Sequence, residues 1–187
     1  MQQSPVVAHL GSEDLAYGAL RRACAALDDA RLRHVPPEMS QALSGLARCY
    51  ARHGQLASAE ACLQEALRWA GVVGAVDQRV DLLCQLCELA AGRAEQLAEE
   101  QPDWPGLARA TRERARAHAF DAAALVGRVA DPQSEVRVLL RVSDVLDRCG
   151  DRDRATLLQT RALRRMAGHP GRVDVALLPG LGRLADV

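Results

Sequence analysis

Apolar residues recur at spacings of three and four along nearly the whole chain, and no useful stretch alternates with a period of two. That periodicity places them on one side of an α-helix, so the pattern predicts an all-α protein. A first helix is expected over 12–31, with Ser12 as cap followed by the acids Glu13 and Asp14, which suit the positive end of a helix. Leu15, Ala19, Leu20, Ala23, Cys24 and Leu27 form its apolar stripe, and His34-Val35-Pro36-Pro37 ends it.

The next segments follow the same grammar. A helix from about Glu38 to His53 stops at Gly54, and another from Leu56 to Ala70 stops near Gly71 and Gly74. A longer helix spans about Ala75 to Glu99, with Val76, Val80, Leu83, Cys87, Ala90, Ala94 and Leu97 as its stripe. Gln101-Pro102-Asp103-Trp104-Pro105 is a turn, and Trp104 between its prolines is expected to seal the ends of the long helices around it. The following helix, Gly106 to Ala130, takes Leu107, Ala117, Phe120, Ala124, Leu125 and Val129 as its apolar set. Asp131-Pro132 opens another, with Asp as cap and Pro in the first helical position. It reaches Cys149, turns at Gly150-Asp151, and is followed by a helix from Asp153 to Met166 and a short one after Arg172. The total is about eight helices, and such short connections make consecutive helices antiparallel neighbours.

Two segments share a pattern. Leu43, Leu46, Ala47, Tyr50 and Gly54, continuing to Ala59, Leu63, Ala66 and Leu67, match Leu139, Val142, Ser143, Leu146 and Gly150, continuing to Ala155, Ala162 and Leu163. Small side chains at Ala47, Ala59, Ser143 and Ala155 let two helix backbones approach, and the bulky neighbours fill the groove around them. The pattern resembles the tetratricopeptide repeat (TPR), a helix–turn–helix of about 34 residues with small residues at those points. Leu43 stands where that family often has Trp, Ala47 where it has Gly, and Leu63 where it has Phe.

The resemblance covers about Ser40 to Gly74 and, more weakly, Glu135 to Gly168. The two turn glycines, Gly54 and Gly150, lie 96 residues apart, which is not a whole number of repeats; two long helices between them account for the excess. HEAT-like hairpins are a structural alternative. The resemblance implies a single bacterial TPR-like domain over 1–187, stacked as a short α-solenoid. Its parts are the helix 12–31, a hairpin 38–74, an enlarged hairpin 75–131, a hairpin 132–168 and a tail 172–187. It also implies a non-enzymatic adaptor or scaffold that binds a peptide or helix on its concave surface. By the first match Gln41, Ser44, Arg48 and Arg52 face that groove; by the second, Arg137, Leu140, Asp144 and Arg148 do. Arg48, Arg52 and Arg148 suggest an acidic partner. A secretion chaperone of the TPR type is an alternative within the same class.

Composition narrows the rest. All 24 basic residues are Arg; Lys, Asn and Ile are missing. These gaps match a GC-rich bacterial gene, so each Arg is a weak functional signal. With 24 acidic residues the net charge is zero, which argues against a general electrostatic hold on nucleic acid or anionic membrane. Arg109, Arg112 and Arg116 share a helix face that could grip phosphates, the basis for a nucleic-acid-associated regulator as a second alternative, but no aromatic residues interleave with them.

Cys84 and Cys87 have metal-like spacing, yet no second ligand pair follows and the pair lies mid-helix; packing is the expected role. No nucleophile motif, phosphate loop or histidine cluster is present, so no enzyme activity, cofactor or metal is expected. The N-terminal residues lack a signal peptide's pattern and no apolar run approaches a membrane span, so a cytoplasmic protein with reduced thiols is expected. Self-association is compatible with all of this.

Overall fold

Proline and glycine place every helix boundary in the order that elementary backbone sterics demand. In the computed structural model, residues 5–168 are described, with side-chain surroundings from Tyr17 onward. They form seven α-helices: α1 (Pro5–Arg33), α2 (Pro36–Arg52), α3 (Leu56–Val73), α4 (Val76–Glu100), α5 (Pro105–Leu125), α6 (Pro132–Arg148) and α7 (Arg152–Ala167). A single 3-10 turn, Val126–Arg128, follows α5, and the described residues contain no strand. The helix expected within 172–187 lies outside the described residues.

The chain divides into two compact units, Met1–Gly74 and Ala75–Val187. In the first, α2 packs against both α1 and α3. α1 begins at Pro5, so Ser12 lies inside it rather than at its cap. A proline is well placed in a first helical turn, where its missing N–H costs nothing, and nothing between Pro5 and Ser12 breaks the helix. His34, at φ 53°, reverses the chain, and Pro36 and Pro37 then occupy the first turn of α2 instead of standing outside it.

The α2–α3 turn and the α6–α7 turn are built alike. Gly54 and Gly150 both adopt positive φ, 72° and 81°. The next N–H in each case reaches back to the helix: Gln55 to the Tyr50 carbonyl at 2.9 Å and Asp151 to the Leu146 carbonyl at 2.8 Å. Each glycine N–H bonds one turn back, to Ala51 and to Asp147. This double bond from a left-handed glycine is the Schellman closure, and only glycine takes that φ without a Cβ penalty. It fixes the reversal that sets each helix pair antiparallel.

The small residues that the sequence places at helix crossings are buried. Ala47, Ala59, Ser143 and Ala155 are at most 2% exposed. In the first unit, the Ser40 hydroxyl donates to the Ala66 carbonyl at 2.9 Å, a side chain of α2 meeting the backbone of α3 directly.

In the second unit α4 pairs with α5 and α6 with α7, while α6 also touches both α4 and α5. α4 is therefore apolar on more than one side: Leu82, Cys84 and Leu86 are buried as well as the expected Val80, Leu83 and Cys87. A fully buried Leu contributes about 1.5–3 kcal/mol. Leu139 and Leu146 of α6, both fully buried, lie at the centre of this core.

α5 departs from its expected register. Its buried face is Ala108, Thr111, Ala115, Ala119, Ala122 and then Val126, whereas Leu107, Ala117 and Ala124 are exposed. Close approach to α4 favours alanine at the contact, so the smallest side chains mark the inside. The helix ends at Leu125, short of Ala130, because Val129 must become extended (ψ 125°) to lead into the Asp131 cap. That cap is as expected: the Asp131 carboxylate accepts from the Ser134 N–H at 2.8 Å.

Candidate protein-interaction surfaces

On α2, the residues expected to face a partner are spaced by three and four, which puts them on one helix face. Gln41, Arg48 and Arg52 are exposed and Ser44 is half-buried. Neither Arg48 nor Arg52 makes an ion pair with any described residue.

Gln41 also borders a groove of about 480 Å³ between α1 and α2. Its small-residue lining includes Ala26, Ala30 and Gly45, with Arg33 and Glu38 among the polar residues that line it. Arg33 bonds Asp29 and lies 3.2 Å from Glu38, whose Oε2 is buried without a hydrogen-bond partner. A Cβ added at Gly45 would meet nothing within 4 Å. The groove thus runs along the same helix face as Arg48 and Arg52, with glycine holding it open.

The second set behaves differently. Arg137 and Asp144 are exposed on α6, whereas Leu140 is 6% exposed and belongs to the core. Arg148 forks onto Glu95 of α4, with Nε and Nη2 each 2.8 Å from a carboxylate oxygen. One heptad earlier, Arg141 does the same to Glu88, at 2.7 and 3.1 Å, and its Nη1 reaches Asp81 at 2.8 Å. Both pairs span 53 residues, so a seven-residue spacing on α6 meets a seven-residue spacing on α4. This ladder tethers the two helices. Two-pronged contacts of this kind need the planar guanidinium fork, which lysine lacks.

The hydrogen bond from Arg148 holds the Glu95 carboxyl below its ordinary pKa. A depressed folded-state value stabilises the fold above the ordinary carboxylate pKa, and that stabilisation is lost as the pH falls through the depressed one. The urea midpoint of wild type should therefore fall on acidification below about pH 4.5, and Arg148→Met should fall less steeply over the same range. Identical acid limbs for the two proteins would count against this pair as a contributor.

Part of the arginine run on α5 is committed to the fold. Arg116 turns inward: its Nη1 bonds Glu113 at 2.9 Å and its Nη2 donates at 2.5 Å to the Cys149 carbonyl, closing the end of α6. Arg112 is half-buried; Arg109 and Arg114 are exposed. Arg116 was the third member of the face that would grip phosphates, and it is used for the fold instead.

Trp104 is 74% exposed, so it does not seal the long helices. The α4–α5 turn closes through the backbone, with the Trp104 N–H donating to the Gln101 carbonyl at 3.0 Å, and the indole is left outside. Cys84 and Cys87 are fully buried; burial pushes the Cys84 thiol up to about 12 and the Cys87 thiol in the same direction. Thiols so far from ionising are poor nucleophiles. Among the described residues no helix is long and apolar enough to cross a membrane.

No family model matches the chain, and no curated protein matches it. The solved structure of the DHF58 filament is similar, with a TM-score of 0.52 and 23% identity over 82% of this chain and 80% of that one. At that identity the likeness concerns the helical fold alone. A crystal structure of BtubC (BKLC) from P. vanneervenii aligns over 90% of this chain and 78% of that one, at 18% identity and a TM-score of 0.29, too low to carry an argument.

Two features of these surfaces lay beyond the sequence pattern. The Arg–carboxylate ladder links residues too distant in sequence for any local rule to pair them. The α1–α2 groove had a weaker signal, a run of Ala23, Ala26 and Ala30 facing Ala42 and Gly45, which looks like ordinary helix packing until the structure shows open space there.

Proposed function

We propose that the protein is a non-enzymatic binding module, a bacterial TPR-like α-solenoid adaptor that holds a peptide or helix of a partner protein along α2. The observation that carries this reading is the open groove beside Gln41 and Gly45, continued by two arginines that have no ion-pair partner among the described residues. The paired helices of the second unit, with α6 seated on both α4 and α5, are the packing that a repeat array would use. Groove and charge together favour a partner with acidic residues opposite Arg48 and Arg52. Arg148, already held by Glu95, contributes to the scaffold.

Gly45→Leu separates binding from folding. The position is helical and its Cβ direction is open, so the larger side chain extends into the groove. Removing a glycine from a helix interior should raise stability by about 0.5–1 kcal/mol. Proteins captured from the source cell by the wild-type chain should be lost to Gly45→Leu and to the Arg48→Glu, Arg52→Glu double variant. An unchanged captured set with both variants, each confirmed folded by circular dichroism, removes the reading.

A further inference from the structure

The stripe of α2 that borders the groove is even in spacing and opposite in charge about its middle. Glu38, Gln41, Gly45, Arg48 and Arg52 follow one another by three and four residues, so they share one helix face. Gly45 lies seven residues from Glu38 and seven from Arg52. An acid therefore stands about 10 Å along the helix on one side of the glycine, and a base about 10 Å along on the other.

Neither end is balanced within the chain. At the first, a single guanidinium, that of Arg33, answers both Asp29 and Glu38, and Oε2 of Glu38 is left buried without a hydrogen-bond partner. This end is short of positive charge. At the second, Arg48 and Arg52 are exposed and make no ion pair with any described residue. Glu38 is the one acid of α2, more than two turns from either of them. Between the ends the surface is small: Ala42, Gly45 and Cys49 are half-buried, and a Cβ at Gly45 would meet nothing within 4 Å.

We infer that this stripe pairs with the same stripe of a second copy, the two α2 helices running antiparallel about a two-fold axis at Gly45. Turning the stripe end over end sets Glu38 against Arg52 of the other copy, Gln41 beside its Arg48, Ala42 beside its Cys49, and glycine against glycine. Each end supplies the charge the other lacks, twice per dimer. A foreign partner must bring an acid and a base at this separation; a second copy brings them by symmetry. With no Cβ at the crossing, the two backbones approach closely. The contact uses one patch on both copies, so it is isologous and closes at the dimer. A single helix pair falls short of the ~1,000 Å² of a stable interface, so the association is weak and concentration-dependent. The second copy covers the groove proposed above for a partner; where that reading holds, only the monomer loads one.

Sedimentation velocity of the full chain over about 10 µM to 1 mM should show monomer passing to dimer and no further, with less dimer at high salt. Arg52→Glu and Glu38→Arg each set like charges opposite one another at both ends of the pair. Alone, each should dimerise roughly tenfold more weakly. Mixed in equal amounts, the two variants should regain the association of wild type, because opposite charges then meet at both ends. Gly45→Leu should weaken the dimer too, since two leucines would meet at the axis. Circular dichroism checks the fold of each variant. Should Glu38→Arg unfold, Glu38→Gln takes its place, and its association should be weaker and less sensitive to salt; unchanged association would count against the pair. A wild type that stays monomeric to the top of the range, an assembly larger than a dimer, or a mixture no tighter than either variant alone would each overturn the inference. Partner capture is read separately: a monomeric wild type that still captures partners removes the dimer and leaves the adaptor reading standing.

Discussion

Ala119→Leu should be among the most damaging single changes in the second unit. It should cost about 1–3 kcal/mol of stability, and more if α5 cannot move. Ala119, Ala115 and Ala122 are fully buried, and these are the positions at which α5 approaches its neighbours. A leucine there must push the helices apart or leave its preferred rotamer. Leu107→Ala should be nearly neutral, since Leu107 is half in water already. Urea unfolding followed by circular dichroism measures both. The ordering is the informative part, because a count of bulky apolar residues places Leu107 inside and gives the reverse. If Leu107→Ala is the more damaging change, the rotation of α5 described above is wrong.

Arg141→Met should have the second large effect. The Arg141 side chain is 20% exposed and makes three short contacts to α4, two to Glu88 and one to Asp81. A hydrogen bond to a charged group contributes about 1.5–3 kcal/mol, and the loss expected here falls in that range. It stays below the 3–5 kcal/mol typical of breaking a fully buried pair, because Glu88 is 38% exposed and can be rehydrated. A double-mutant cycle with Glu88→Gln isolates the pair, with a coupling above about 0.5 kcal/mol expected. Arg141→Lys should recover only part of the stability, since an ammonium cannot fork onto Glu88 while reaching Asp81. Full recovery by lysine would show that the geometry of the fork is irrelevant.

The hairpins were legible in the sequence because turns are local. Gly54 and Gly150 need nothing beyond their neighbours to reverse the chain, and the small residues at fixed distances from them are buried as expected. Asp131-Pro132 announced its helix for the same reason.

What failed was rotation about a helix axis. α5 carries alanine inside and outside, so apolar bulk does not mark its inner face; the absence of charge from Ala108, Thr111, Ala115, Ala119 and Ala122 does, and the few bulky residues point elsewhere. Trp104 was misplaced by a related habit: prolines on either side suggest a rigid plug, yet they stiffen the turn without directing the indole inward. The candidate surfaces were half legible. Spacing alone put Gln41, Arg48 and Arg52 on one exposed face of α2, whereas the partner that holds Arg148 lies on another helix, beyond reach of local pattern.

The six thiols fall into two populations that the chain itself keeps apart. Cys24, Cys49 and Cys62 of the first unit are half-buried, whereas Cys84, Cys87 and Cys149 of the second are shut away from water. A small alkylating reagent would thus modify the first trio directly and the second only when that unit transiently opens. The molecule carries its own clock for each half, readable from the mass that each alkylation adds.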